Sequence, residues 1–142
     1  MVRPFEPALG PEGRSLLTYA MSTPQKHSPA SHCTAVCALE IKLSSEPIAA
    51  EKLVEGVAAI GTAGLYELDG MAVGVWEITP SVTTDIESDE VFVVISGKAL
   101  VTFEDGTEPL ELRPGTVARM VAGARTTWHV TKTLRKVYVA QV

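Results

Sequence analysis

Short β-rich runs, separated by turn signals at regular intervals, fill the chain from about residue 64 to its end. In order, the runs read GLYEL, MAVGVWEI, EVFVVIS, ALVTFE, EPLELR, TVARMVA, TTWHVT and RKVYVAQ. The turn signals between them stand at Asp69-Gly70, Thr79-Pro80, Ser96-Gly97, Asp105-Gly106, Pro114-Gly115 and Ala122-Gly123. Many short strands without intervening helices are typical of an antiparallel sandwich or barrel. The sequence therefore predicts an all-β fold.

Shorter patterns predict a hairpin, a further strand and a helix. Asp105-Gly106 lies between two alternating runs and supplies the positive φ that tight hairpin turns require. Residues 36–43 alternate apolar and polar side chains at period two, which predicts a half-buried strand. Residues 47–61 begin with proline and place several apolar side chains roughly on one side, which favours a helix.

The first 35 residues have a different texture from the rest of the chain. Prolines and glycines recur there at a density that a packed helix or a central strand would not tolerate. We predict an N-terminal arm, extended or partly disordered, over residues 1–35 and a single domain over residues 36–142. Within the arm, Leu16, Leu17 and Tyr19 offer apolar side chains to bury against the body or a second subunit.

Composition and charge exclude several classes of protein. The 142 residues carry 12 Lys and Arg against 17 Asp and Glu, a net charge of −5, which argues against a nucleic acid partner. No apolar stretch approaches the roughly 18 residues that span a bilayer, and the amino terminus lacks a basic-then-apolar signal sequence. We expect a soluble cytoplasmic protein with no membrane partner.

Two blocks of the β-rich region resemble a known signature. In the first block, Glu90 is followed after six residues by Gly97. In the second block, the Pro-Gly pair at 114–115 is followed after five residues by Val-Ala-Gly at 121–123. These blocks are similar to the two halves of the cupin signature.

The chain further resembles the small single-domain cupins related to ureidoglycine aminohydrolase, a DUF861 group with the RmlC-like fold. The similarity covers roughly residues 65–142, through motifs at residues 74–80, 90–97, 121–128 and 135–139. The resemblance implies a double-stranded β-helix, a jelly-roll barrel of facing antiparallel sheets. It also implies a homodimer and a small-molecule pocket inside the barrel mouth.

The sequence departs from the cupin signature at the metal ligands. That signature normally supplies two histidines, a glutamate and a third histidine. Here the histidine positions hold Thr83 and Asp85, or Thr84 and Ile86 with the other allowed spacing, and Thr126. Glu90 is the usual ligand that remains, and a transition metal normally needs three or four converging donors. We therefore expect no tightly held metal cofactor; the alternative is a weakly bound divalent metal at Glu90 and Asp85.

Glu90 is the predicted catalytic residue. It begins an otherwise apolar run, and alternation places Phe92 on the same face of the strand. A carboxyl group inside a barrel is desolvated, which is the usual origin of a general acid or base or of a ligand anchor. The alternative is a carboxylate paired with a lysine or an arginine near the barrel mouth.

Aromatic and hydroxyl side chains complete the predicted pocket. The predicted ligand-binding residues are Trp76, Phe92, Arg119, Thr126 and Trp128. An aromatic ring in a barrel mouth gives a flat apolar wall to a small carbonyl-bearing ligand, and an indole also offers an N–H donor. Alternation puts Thr126 and Trp128 on one face and His129 on the other, so His129 is expected outside the pocket.

The cations near the pocket leave two interpretations open. Arg119 is suited to neutralising Glu90 or to clamping a carboxylate or ureido oxygen of a ligand. The alternative is that its neighbours in sequence face the core while Arg119 faces solvent. Arg135 and Lys136 share this ambiguity, since one of the two must face each way.

Three hypotheses for function follow. The leading one is a small-molecule pocket without a tightly bound metal, in which Glu90 exchanges a proton with a small carbonyl or ureido-type metabolite. The first alternative is a metal-dependent enzyme similar to ureidoglycine aminohydrolase, with Asp85, Glu90 and waters or His129 as ligands. The second alternative is a non-catalytic structural or interaction module whose interior is filled by its own side chains. The sequence leaves open whether the chain is an enzyme or a binding protein.

Overall fold

Antiparallel strands dominate the part of the chain that the computed structural model describes, residues 33–142. The strands are β1 Ser44–Pro47, β2 Leu53–Gly56, β3 Ala59–Leu68, β4 Met71–Ile78, β5 Ser81–Ile86, β6 Glu90–Phe103, β7 Leu110–Leu112, β8 Val117–Met120 and β9 Arg125–Gln141. A single 3-10 turn, Ala50–Lys52, precedes β2. No helix within these residues has the length and apolar character needed to cross a membrane. The predicted all-β fold is confirmed.

The long strands β6 and β9 form the spine of the sheet. The sheet runs in the order β1-β3-β4-β9-β5-β2, while β6 pairs with β7, β8 and β9. The first part of β9 pairs with β5 and its second part with β4, and β6 follows β9 along both parts. This pairing curls the sheet, so that inward side chains from the two ends of β9 share one interior. The architecture is consistent with a double-stranded β-helix.

Alternation along the strands builds the core. On β6, Glu90, Phe92 and Val94 are buried, while Val91 between them is exposed. On β9, the buried side chains include Thr126, Trp128 and Val130 in the first part and Leu134, Lys136, Tyr138 and Ala140 in the second. The interior is therefore apolar for most of its length but contains several polar and charged side chains.

Several predicted strands join into longer ones. The runs EVFVVIS and ALVTFE both lie in β6, and the runs TTWHVT and RKVYVAQ both lie in β9. The Ser96-Gly97 signal marks a register shift of β6 against β9, and Gly97 has φ +92. Bulges of this kind need positive φ just as turns do. Strand β5 was not predicted, although its residues alternate between buried and half-buried.

The hairpin signal near residue 105 is confirmed. Gly106 has φ +83 and its N–H donates to Phe103 O at 3.3 Å, which closes a turn at the end of β6. Strand β7 then returns along β6, with Leu110 opposite Val101. The Asp105 carboxylate accepts a hydrogen bond from the Thr107 N–H. Hydrogen bonding by the Thr107 side chain, followed by that of its N–H, lowers the pKa of the exposed carboxyl.

The helix predicted over residues 47–61 is wrong. Its residues end β1, pass through the short 3-10 turn, form β2 and enter β3. Strand β2 pairs with β5, and Gly56 has φ +86, which a right-handed helix does not allow. Cross-strand pairing therefore overrides the local apolar spacing.

The strand predicted over residues 36–43 is also wrong. This segment contains a turn, and the Arg135 side chain fastens it to the outer face of the sheet. Arg135 Nη1 donates to the carbonyl oxygens of Ala38, Leu39 and Ile41 at 3.0 to 3.1 Å. The backbone carbonyl groups of this segment therefore accept hydrogen bonds from a side chain and not from a neighbouring strand. The arm boundary predicted at residue 35 stays a prediction, since residues 1–32 lie outside the described part.

Candidate functional site

A row of polar side chains points from β5 into the barrel. Thr83 and Asp85 are 0% and 8% exposed. The ladder continues past the end of β5, because Glu87 N–H donates to Ala124 O at 2.8 Å and Glu87 C=O accepts from Gly123 N–H at 2.9 Å. Alternation therefore carries Glu87 into the interior as well, where it is 6% exposed.

Glu87 is the titratable centre of this row. Its Oε1 accepts hydrogen bonds from Thr126 Oγ1 at 2.5 Å and from Trp128 Nε1 at 2.8 Å. Burial, followed by the negative charge of Asp85, raises the pKa of Glu87 from 4.5 to about 7. The two hydrogen bonds and the positive charge of Lys136 oppose this rise. Near neutral pH the carboxyl group is thus present in both protonation states.

Glu90, the predicted catalytic residue, is held by a buried lysine. Lys136 Nζ donates to Glu90 Oε1 at 2.6 Å, and the two side chains are 3% and 1% exposed. Lys136 therefore faces inward, whereas Arg135 faces outward and pairs with Glu77 at 2.7 Å. Of the two interpretations of Glu90, the structure has the carboxylate paired with a lysine.

The structure brings the predicted pocket residues together, apart from Arg119. The ring centroids of Trp76 and Phe92 lie 5.8 and 6.1 Å from that of Trp128, and Thr126 belongs to the same inward row of β9 as Trp128. Arg119 is exposed on β8, opposite the exposed Val91 of β6, so it does not join this group. Its neighbours Ala118 and Met120 face the core, as the alternative interpretation held.

His129 lies where alternation predicted. It is half-buried, while Thr126, Trp128 and Val130 are buried on the inward face of β9. The imidazole therefore stands on the other side of the strand from Glu87.

A pocket of about 860 Å³ opens beside the row. Its lining includes Lys52, Asp85, Phe103, Arg125 and Thr126. Lys52 Nζ lies 2.8 Å from Asp85 Oδ1, so an ion pair borders the opening. Thr126 is a lining residue of the pocket and its hydroxyl group donates to Glu87, which does not itself line the pocket.

The residues at the cupin metal positions do not fit a metal ion. Within residues 33–142, no group of three or more His, Cys, Asp or Glu side chains is arranged to hold one. Asp85 pairs with Lys52 and Glu90 with Lys136, while Thr126 donates its hydroxyl group to Glu87. Each of these side chains is thus already engaged by another residue of the chain.

Buried polar atoms near these residues lack partners. Within the described part of the chain, they are Trp76 Nε1, Thr83 Oγ1 and Glu90 Oε2. A buried donor or acceptor without a partner costs about 1 to 3 kcal/mol. Native proteins hold few such atoms, and ordered water or a bound polar molecule is their usual partner.

Sequence reasoning missed Glu87 and Lys52, and it left open which of Arg135 and Lys136 faces inward. A signal for Glu87 is present, because Ser81, Thr83, Asp85 and Glu87 occur at period two and so share one face of a strand. Recognising β5 would have placed Glu87 inside the barrel. No local signal identifies Lys52, whose position depends on the pairing of β2 with β5.

Comparison with known proteins agrees with this fold. A family model described as a EutQ-like cupin domain matches residues 65–138, just over half of the chain. A DUF861-family protein of unknown function from Pseudomonas syringae is 23% identical, with a TM-score of 0.64 over 75% of this chain and 46% of that one. The EutQ protein of Clostridium difficile is 18% identical, with a TM-score of 0.51 over 59% of this chain and 63% of that one.

A more distant structure has the same fold. The cupin domain of Cnp3 from Schizosaccharomyces pombe is 15% identical, with a TM-score of 0.55 over 76% of this chain and 74% of that one. No curated protein matches the chain significantly. This chain spans less than two thirds of the length of the Pseudomonas and Clostridium proteins. At these identities the likeness establishes the fold alone, and the relation to ureidoglycine aminohydrolase stays a prediction.

Proposed function

Because this chain belongs to the EutQ-like cupin family, we propose that it binds a small polar carbonyl or ureido compound in its barrel, with Glu87 as the group that exchanges a proton with it. The raised pKa of Glu87, about 7, carries this proposal. A general acid or base is most effective when its pKa lies near the working pH. The proton-transfer role predicted for Glu90 passes to Glu87, because Glu90 is paired with Lys136.

Two unpartnered polar atoms of the barrel interior suit an amide or a ureido group. Such a group presents a carbonyl oxygen and N–H donors side by side. Trp76 Nε1 is a donor for the carbonyl oxygen, and Glu90 Oε2 is an acceptor for an N–H. The pocket beside Asp85 and Thr126 has a volume within the range of small-molecule sites.

One observation favours a second function, that of a non-catalytic module. The side chains of Trp76, Phe92 and Trp128 are each no more than 2% exposed and pack against one another. These rings fill much of the interior with the chain's own atoms. A binding experiment distinguishes the two functions.

The chain's own tryptophans report on the site. Both tryptophans of the sequence, Trp76 and Trp128, lie beside Glu87 or Glu90, so intrinsic fluorescence monitors it directly. Methylurea, acetamide and N-carbamoylglycine are titrated into the full chain below and above pH 7. We expect a saturable change for at least one probe, with an affinity that depends on pH because the two protonation states of Glu87 offer the ligand different hydrogen bonds.

Glu87→Gln keeps the side-chain shape and removes the titration. We expect it to weaken probe binding about 10-fold, equivalent to about 1.4 kcal/mol, and to abolish the pH dependence. Glu111→Gln, on the exposed side of β7, is the control and should bind like the wild type. Unchanged binding in Glu87→Gln would remove Glu87 from the site. Fluorescence that does not change in a saturable manner with any probe would favour the non-catalytic module.

A further inference from the structure

Lys136 is a buried cation surrounded by aromatic rings. Its Nζ lies 4.2 Å from the ring centroid of Phe92, 4.7 Å from that of Trp76 and 5.2 Å from that of Trp128. The Glu90 carboxylate completes the surroundings at 2.6 Å. An ammonium group over aromatic faces is attracted by the ring quadrupoles, and more strongly when it is desolvated. Carboxylate and rings together form a cation cage that the chain's own lysine fills.

We propose that the Lys136 ammonium group is the resident cation of this barrel, and that it takes at Glu90 the role that a metal ion has in cupins with histidine ligands. The mismatch between the metal positions and the residues that occupy them is thereby explained: the carboxylate that would bind a metal binds an ammonium group instead. This inference goes beyond the proposed function and does not depend on its ligand.

Strand register places the lysine in the cage. Lys136 on β9 lies opposite Trp76 on β4 and opposite Val94 on β6. Its side chain points inward between Leu134 and Tyr138, which are also buried. A lysine in this row stands in a position that alternation otherwise assigns to apolar residues. The ammonium group therefore reaches the interior through the regular alternation of β9, and the register shift at this point lies on β6, between Val94 and Ser96.

The free energy of a buried ion pair indicates that the Lys136 charge neutralises carboxyl groups and contributes little to the stability of the core. A buried ion pair adds little net stability, because the desolvation of both charges offsets their attraction. Removing one partner is far more costly, since it leaves an uncompensated buried charge. Among residues 33–142, Glu90 Oε2 has no hydrogen-bond partner, so the contact of Oε1 with Lys136 holds the carboxylate. The positive charge of the same ammonium group also opposes the rise that burial causes in the pKa of Glu87.

The test removes the lysine from the full chain and supplies the lost cation in solution. Lys136→Ala deletes an n-propylammonium fragment, and Tm is measured with n-propylammonium chloride, 1-propanol or sodium chloride. We expect the substitution to lower Tm by roughly 10 °C. We expect n-propylammonium to restore more of this loss than 1-propanol at equal concentration, because the ammonium ion alone neutralises Glu90.

Two control variants separate charge from packing. Lys132→Ala removes an exposed lysine from the same strand and should neither lower Tm nor distinguish the two compounds. Glu90→Gln combined with Lys136→Ala removes the charge to be neutralised, so the preference for n-propylammonium should disappear. Equal restoration by both compounds in Lys136→Ala, or the same preference in the double variant, would overturn the proposal.

A second pair of variants decides the question if Lys136→Ala does not fold. Lys136→Met keeps most of the side-chain volume and removes the charge. Combining it with Glu90→Gln removes the unpaired carboxylate as well, so we expect the double variant to have a higher Tm than Lys136→Met alone. A double variant that is no more stable than Lys136→Met would show that Lys136 acts through its volume, against the proposal.

Discussion

Glu87 and Glu90 stand three positions apart and have different electrostatic environments. Glu87 accepts hydrogen bonds from the neutral Thr126 hydroxyl and Trp128 indole, while Glu90 contacts the charged Lys136 ammonium group. Neutral donors only partly offset the cost of burying a carboxylate, whereas a cation in contact offsets much more of it. Two residues of the same type therefore suit different roles: Glu87 is the proton-exchanging group of the proposed function, and Glu90 binds the Lys136 ammonium group.

The titration of Glu87 should appear in the free energy of unfolding. Its pKa is about 7 in the folded chain and has an ordinary value of 4.5, so between these pH values the folded state binds more protons than the unfolded state. The protonated carboxyl contributes fully below about pH 4.5, and this contribution is lost as the pH rises through about 7. We expect the wild type to lose up to roughly 3 kcal/mol relative to Glu87→Gln over this range.

Urea denaturation at a series of pH values measures this difference. Glu111→Gln removes an exposed carboxyl group and should keep the wild-type pH dependence. Parallel curves for the wild type and Glu87→Gln would show that the folded state does not raise the pKa of Glu87.

At the scale of elements, β6 and β9 determine where the site is built. Each strand contributes to both ends of the sheet, and the register of β6 against β9 shifts around Gly97. A Cβ atom added at Gly97 would collide with the backbone of Thr133 and Leu134, and the residue has positive φ. The bend at Gly97 thus lets β6 place Glu90 and Phe92 in one part of the barrel and Val101 in another.

Gly97→Ala should destabilise the fold by more than about 2 kcal/mol, because it combines a backbone collision with strain at positive φ. Gly106→Ala is a matched control, since Gly106 also has positive φ but no atom within 4 Å of an added Cβ. It should cost about 1 kcal/mol from backbone strain alone. Chemical denaturation measures both values, and equal costs at the two positions would contradict a close approach of β9 to Gly97.

The same elements show why strand boundaries were predicted less well than strand content. Ser96-Gly97 looks like a turn because it supplies positive φ, and a bulge within one strand uses the same conformation. A local pattern cannot tell these two uses apart. Pairing with β9 along both parts of β6 distinguishes them, and this pairing exists only in the folded chain.

At the scale of the whole molecule, the outer face of the sheet has two parts. Residues 38–41 cover one part, and exposed valines lie on the other. Arg135 fastens residues 38–41 across the outside of β4 and β9. On the neighbouring strands β6, β8 and β9 and just beyond β8, the described residues leave valines exposed: Val91, Val117, Val121 and Val139. Arg119, which is also exposed on β8 opposite Val91, adds a charge to this mostly apolar face. A face of this kind is typical of an interface, and a two-fold partner is its simplest complement.

The homodimer implied by the family resemblance remains a prediction, and these valines are where we expect the contact. Light scattering of the purified chain should give the mass of a dimer. Val117→Glu places a charge on the face through a residue that is 69% exposed, so it should yield monomers without unfolding the chain. Val54→Glu, at a residue 62% exposed on β2, is the control and should remain a dimer. A monomeric wild type, or equal dissociation of both variants, would contradict this interface.

The sequence by itself determined the all-β class and which side chains share a face on β6 and at the start of β9, because period-two alternation and turn residues act locally. The cupin family followed from the resemblance of its motifs. Only the tertiary structure decided that the pKa of Glu87 is raised and that Glu90 pairs with a lysine. The partners of Glu87 and Glu90 stand 39 and 46 positions further along the chain, at Thr126 and Lys136. The pKa of a buried carboxyl depends on burial and on neighbouring charges, and both arise only when distant strands pair.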